Sequence, residues 1–390
     1  MNRIVHIIIY FLIIGIFIFN SPEYAYNLGI IPVRLEDSPF YIKIGKDLGV
    51  ILLVLIGYIH ILVKRKVHVY QSYFVFFPVY IILCCFFTQD KTLCIAGIRW
   101  ILPFILMGVL FPYINEDFLK KIAKILFPLL LIQLGTQFLE LFVMPHVNGA
   151  NLLGLAARVP GLFYAPNAAA NFVLFSFFII KTFSDNNIIK RVTTILAFLS
   201  LLLMMSSTGT FIFILLILFR KYYSSKYFKL FLLVSPIIFF FIFVNLDVLT
   251  GRSEGSTEES GSTRISILEN SLENTTIISY NFGEATNSAM GMNADKAFIA
   301  DSNIIALYHN LGIIGFLYII GIFTYSLLFA WIKKRIDLLQ FLIIFFLFNI
   351  PAILFEVYPA NLLSSIIVAY YLKQESEKKI IVNKKKSITI

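Results

Sequence analysis

Runs of apolar residues as long as a bilayer is thick recur along this chain, beginning with IVHIIIYFLIIGIFIF at residues 4–19. A helix needs about 20 mostly apolar residues to cross the hydrocarbon core of a membrane, and a backbone in lipid must satisfy its own hydrogen bonds. Hydrophobic residues make up 59% of the 390, with 41 Phe, while only 14% are charged. A soluble domain of this size could not hide that much apolar surface, so the composition dictates an all-α polytopic membrane protein.

Scanning for runs bounded by charge, Pro or Gly gives twelve spans, near residues 4–19, 48–63, 67–87, 92–113, 122–143, 162–180, 188–205, 208–220, 229–249, 303–331, 338–355 and 357–372. The first opens with charge like a secretion signal, but no small-residue cleavage site follows Phe19, so it reads as an uncleaved span. The organisation expected is one transmembrane domain over residues 1–372 and a basic cytoplasmic tail at 373–390, whose lysines can meet anionic lipid. A large outer loop at 250–302 separates spans nine and ten, with a short amphipathic helix near 262–274.

Lysine and arginine collect in cytoplasmic loops, which orients the spans. With both termini cytoplasmic, 23 of the 32 basic residues fall on the inner side, including Lys64, Arg65, Lys66, Lys120, Lys121, Lys124, Lys333, Lys334, Arg335 and six lysines from Lys373 onward. Eight lie outside, and Arg99 is within the fourth span. The net charge of +10 is therefore a topology signal and calls for no nucleic acid. Cys84, Cys85 and Cys94 read as packing residues, and the five histidines are scattered without metal-ligand spacing. No cofactor or metal is implied.

Charge inside a membrane is expensive, so the polar residues near the outer side are the candidates for function. Arg99, about six residues inside its span, either snorkels outward beside Trp100 or contacts an anion in an outward-facing cavity. Arg158 opens RVPGLFYAPN, where Pro160, Gly161, Pro166 and Asn167 enforce a non-helical turn. Such backbone survives at membrane depth where it lines a cavity, although an ordinary interfacial arginine is the competing reading. In the outer loop, 251–261 is a solvated Ser/Gly/Glu stretch. After it, Ile265, Leu268 and Leu272 recur at helical spacing, with Arg264 at the start and Glu269 and Glu273 four residues apart. Asp301, Ser302 and Asn303 open the tenth span, in which Ser302 shares a face with His309 and Asn303 with Asn310. His309 also fits a packed, hydrogen-bonded span residue, and Glu356 a turn between the last two spans.

Four segments together carry a family resemblance: Arg158, Gly161, Leu162 and Phe163 followed by Pro166 and Asn167; SSTGTFIFIL at 206–215; GSTRISILENSL at 261–272; and ISYNFGEA followed by DSNIIALYHNLGIIGF at 301–316. In this order, over about residues 90–330, they resemble the O-antigen polymerase and ligase family. The family often has arginine where this chain has Gly209, and its ligases tend to open the last motif with histidine where this chain has Asp301. The second departure favours a polymerase.

The resemblance implies a glycosyltransferase in the plasma or inner membrane of a bacterium, joining polyprenyl-pyrophosphate-linked repeat units of O antigen, capsule or exopolysaccharide at the outer face. Flippase and chain-length regulator proteins are the implied protein partners, beside membrane lipid. Arginine suits a pyrophosphate because its planar fork donates two hydrogen bonds to phosphate oxygens, which points to Arg158 and Arg264, with Asn167 and Arg99 nearby. Deprotonating the acceptor hydroxyl needs a placed carboxylate or imidazole: Asp301 first, Glu269 or His309 behind it. A flippase of the same lipid-linked sugar is the rival from another class, although no half-to-half repeat is visible. A peptidoglycan polymerase of the shape-and-division type is a third reading, with motifs more stereotyped than those present.

Overall fold

The computed structural model describes residues 1–27, 40–143, 158–163, 165–222, 225, 269, 276–286, 289, 302–350 and 353–388. These fold as helices, with no strand among them. In chain order they are α1 (Asn2–Ile14), α2 (Ile16–Phe19), α3 (Ser21–Asn27), α4 (Phe40–Lys64), α5 (Val69–Val75), α6 (Phe77–Phe87), α7 (Lys91–Val109), α8 (Glu116–Val143), α9 (Pro166–Phe183), α10 (Asn187–Met204), α11 (Ser207–Tyr222), α12 (Asn303–Ile332), α13 (Ile336–Asn349) and α14 (Ala360–Ile388).

Seven stretches among the described residues are long and apolar enough to cross a membrane: Gly45–Lys64, Val69–Phe87, Lys91–Val109, Glu116–Phe142, Pro166–Phe183, Asn187–Met204 and Asn303–Ile332. Shorter apolar helices cover Asn2–Ile14, Thr208–Phe219 and Ile336–Asn349. The ninth expected span, 229–249, and most of the outer loop lie outside the described residues. The eleventh ends at Asn349, six residues before its sequence boundary. The last helix continues from its apolar start through the basic tail as one element to Ile388.

The helices divide into a hidden set and a lipid-facing set. Within their membrane windows, 78% of α7 and 72% of α9 residues are buried, against 17% of α4 and 22% of α12. The start of α14 joins the hidden set, with Leu363, Ile366, Ile367 and Ala369 fully buried. Phe86, Leu62, Phe142 and Leu317 project from the outer set with 61 to 77% exposure, a pattern that lipid tolerates and water does not.

The third crossing is broken rather than continuous. Pro78 has no N–H to donate and sits in the first turn of α6, so the chain steps at Phe76 between α5 and α6. Tyr58 on α4 donates its hydroxyl to the Val75 carbonyl at 2.7 Å, so a carbonyl at the break is not left bare in the membrane.

Contacts between helix ends give the bundle two ends. The top is taken as the end where α7, α9 and α12 begin. Pairs between sequence-distant segments respect this division. At the bottom, the His6 ring nitrogen meets the Tyr113 carbonyl at 2.9 Å, Lys120 pairs with Asp185 at 3.1 Å, the Ser376 hydroxyl meets His68 at 2.9 Å, and Arg335 pairs with Glu375. At the top, Arg99 pairs with Asp47 at 2.8 Å, and the Trp100 indole donates to Asn303 at 3.2 Å.

Candidate functional site

Two polar assemblies lie at the top of the bundle, each built on a non-helical segment that helices hold at membrane depth. The first is the loop from Arg158 to Phe163. Its groups are satisfied by one face of α8, where Gln133, Gln137 and Glu140 recur at helical spacing. Gln133 donates to the Pro160 carbonyl at 2.8 Å and accepts from the Leu162 amide at 3.1 Å. Gln137 donates to the Val159 carbonyl at 2.9 Å and to the Ser200 carbonyl at 3.1 Å, and its own oxygen accepts from the Ser200 hydroxyl at 2.6 Å. The Gly161 amide donates to the Glu140 carboxylate at 2.8 Å. The Val159 amide completes the set by donating to the Leu203 carbonyl at 3.1 Å.

Gly161 is obligatory in this loop. Its φ of +66° is strained for any residue with a side chain, and an added Cβ would stand 2.8 Å from the Gln133 amide nitrogen. Glu140, only 2% exposed, is a carboxylate buried within the protein in the last turn of α8. The Tyr24 hydroxyl of α3 is pushed above its ordinary pKa, first by burial and then by the nearby Glu140 charge.

Beyond the loop, the Ala165 φ of −114° and Pro166 launch α9. Asn167 takes a 3.4 Å hydrogen bond from the Ser206 hydroxyl, and that same hydroxyl accepts from the Gly209 amide at 3.2 Å. Two stretches that the sequence sets apart, RVPGLFYAPN and SSTGTF, are thus one structure. A side chain at position 209 would meet the Ala170 Cβ at 2.9 Å, which accounts for glycine there.

The second assembly is residues 276–286, which leave the outer-loop region of the sequence and dock against α7 and α12. The docking point is a break inside α12 at Gly312, whose φ is +68° and ψ −177°. The break frees helix amides, and Ile313 and Ile314 donate to the carbonyls of Thr276 and Ile277 at 3.1 and 3.2 Å. Asn310 then acts as a clip: its side-chain oxygen accepts from the Gly283 and Ala285 amides at 3.2 and 3.0 Å, and its nitrogen donates to the Ala285 carbonyl at 3.1 Å. Phe282 is fully buried, its amide donates to Thr88 at 3.3 Å, and its ring packs on Gly97.

This clip brings Glu284 to His309, with 3.3 Å between the carboxylate and Nε2. The His309 side chain is 5% exposed and that of Glu284 20%, so the carboxylate is the member nearer the surface. Ser279 donates to the His309 carbonyl at 3.0 Å. About two turns back, Trp100, Asn303 and Asn349 form a chain, with Asn303 donating to Asn349 at 2.6 Å and Ser302 to the Asn349 carbonyl at 3.2 Å.

Of the residues singled out in the sequence, Arg158 opens the first assembly, Asn167 joins it to the 206–209 turn, and His309 anchors the second. Arg99 forms an ion pair with Asp47 across to α4, a partner that neither sequence reading of Arg99 includes. Glu269 is helical and exposed. Arg264 and Asp301 lie outside the described residues. Sequence reasoning passed over Glu140, Gln133, Gln137 and Glu284. For Glu140 the signal was present, because an acid inside an apolar run is itself a marker of function. Glu284 lies in the ISYNFGEA segment, but only the docking of that segment brings it to a histidine. No family model matches this chain, and neither a curated protein nor a solved structure matches it.

Proposed function

We propose that this chain is a membrane glycosyltransferase that joins polyprenyl-pyrophosphate-linked oligosaccharide units at the outer face of a bacterial cell membrane, with the top of the bundle facing out. The observation that carries the reading is the partly buried His309–Glu284 pair, held by a segment folded into a broken helix at the same end as the Arg158 loop. The four-segment resemblance to O-antigen polymerases and ligases supports the same reading, as does the distribution of lysine and arginine.

The donor already carries an activated sugar, so the chemistry needs a grip on pyrophosphate and a base. Arg158, on a loop whose backbone is fixed by three α8 side chains, supplies a guanidinium at a constant position, and Arg264 is the second candidate. A donor placed where charge develops, with water excluded, is worth roughly a few kcal/mol. Glu284 takes the proton from the attacking hydroxyl as the anomeric bond to pyrophosphate breaks, and the departing lipid pyrophosphate carries the electron pair away. His309 is a positioning residue: behind the carboxylate, it fixes the orientation of Glu284 through their 3.3 Å contact. Asp301 remains the alternative base from sequence.

A second reading, a flippase for the same lipid-linked sugar, is favoured by the broken α12 and the α5–α6 step, because transporters build sites from discontinuous helices. Deleting the gene and sizing the glycan by electrophoresis separates the two. Collapse of a long ladder to a single capped unit supports the polymerase. Loss of all surface glycan with single units accumulating inside supports the flippase.

A further inference from the structure

At the bottom of the bundle, a cavity of 240 Å³ lies between α9, α10, α11 and α13. Its walls include Phe177, Phe178, Leu216 and Ile217, and its rim carries Lys181 and Lys221. The two lysines are in register. The helices α9 and α11 are separated by the single antiparallel α10, so they run in the same direction. Phe177 precedes Lys181, and Ile217 precedes Lys221, by four residues, one helical turn on one face. Each helix therefore offers an apolar residue one turn deeper and a cation at the mouth.

One wall of the cavity reaches the exposed apolar surface of α11. Ile217 is 40% exposed on the surface of a helix whose neighbouring Ile214 is 48% exposed, while Phe178 and Leu216 form a buried floor. Lys181 is held in place by a 3.1 Å hydrogen bond to Thr194, and Lys221 stands 5.1 Å from the ring of Tyr222. Gln340 has its amide committed to the Leu216 carbonyl at 3.1 Å. The neighbouring cavity of 440 Å³ has a different character, because its Arg335 is engaged by Glu375 and Gln374.

We propose that this groove binds one anionic glycerophospholipid from the leaflet at the lysine-rich end, its acyl chain along Phe177, Phe178 and Ile217 and its phosphate between Lys181 and Lys221. Charge complementarity selects the head group, and the exposed apolar wall selects a ligand with a chain over a soluble anion. The site is independent of whichever reaction the other end performs.

The test is thermal unfolding of the purified full chain in detergent, titrated with phosphatidylglycerol, phosphatidylcholine or soluble glycerol phosphate. Phosphatidylglycerol is expected to raise the midpoint saturably and the other two not. In Lys181→Gln/Lys221→Gln, half-saturation should shift about 25-fold, about fivefold for each lysine, with the midpoint in phosphatidylcholine unchanged. Should the double variant fail to fold, each single variant carries the test with its fivefold shift. An equal response to phosphatidylcholine, an unaltered response in the variants, or full stabilisation by glycerol phosphate alone would overturn the proposal.

Discussion

Glu284 and His309 make the sharpest prediction at the scale of single residues. Glu284→Gln removes the base while keeping the shape, so surface glycan should fall to single units, a loss of about a hundredfold or more in polymerisation. His309→Gln keeps a donor to Glu284 and should retain part of the activity, with its pH profile displaced; a profile identical to the wild type would make His309 a packing residue only. Gly161→Ala places a side chain at φ +66° against Gln133 and Thr136, and should destabilise the protein by about 1–3 kcal/mol, read as a lower unfolding midpoint. Arg158→Lys keeps the charge and loses the fork, so full chain length in that variant would exclude the proposed grip on pyrophosphate. Arg158 and His309 could be singled out from the sequence because a lone charge or imidazole stands out in an apolar chain. Glu284 was not, since its partner is 25 residues away and is reached only through a tertiary clip.

At the scale of elements, the two polar assemblies share a device: backbone groups left free outside a regular helix are taken up by a specific side chain or segment. In α12 the interrupter is Gly312, and the substitute is the Thr276–Ile277 backbone. Gly312→Ala should straighten the helix and release residues 276–286. Amide exchange in that segment would then rise while α8 and α9 keep their protection. An unaltered exchange pattern would mean that the break is held by other contacts. Among the described residues, the helix Asn303–Ile332 matches its sequence span to within a residue. The break within it was hidden, because LGIIGF is equally compatible with a continuous apolar helix.

For the whole molecule, the lysine and arginine pattern leads to a definite expectation of which end faces out. If the top faces out, a membrane-impermeant maleimide should label Tyr280→Cys in intact cells and spare Lys66→Cys, in a background where Cys84, Cys85 and Cys94 are replaced. The reverse labelling would invert the proposed orientation. Sequence by itself determined that the chain is helical and rich in apolar helices of membrane-crossing length, because this depends on local composition: bilayer thickness sets run length, and the cost of charge sets where runs end. Only the tertiary structure decided that α7, α9 and the start of α14 are the hidden helices, that α8 presents three amide and acid side chains to a loop, and that a segment from beyond a distant turn fills a broken helix. Those outcomes depend on which polar groups meet in a medium without water, and that is a property of the packed bundle, which no single run of residues contains.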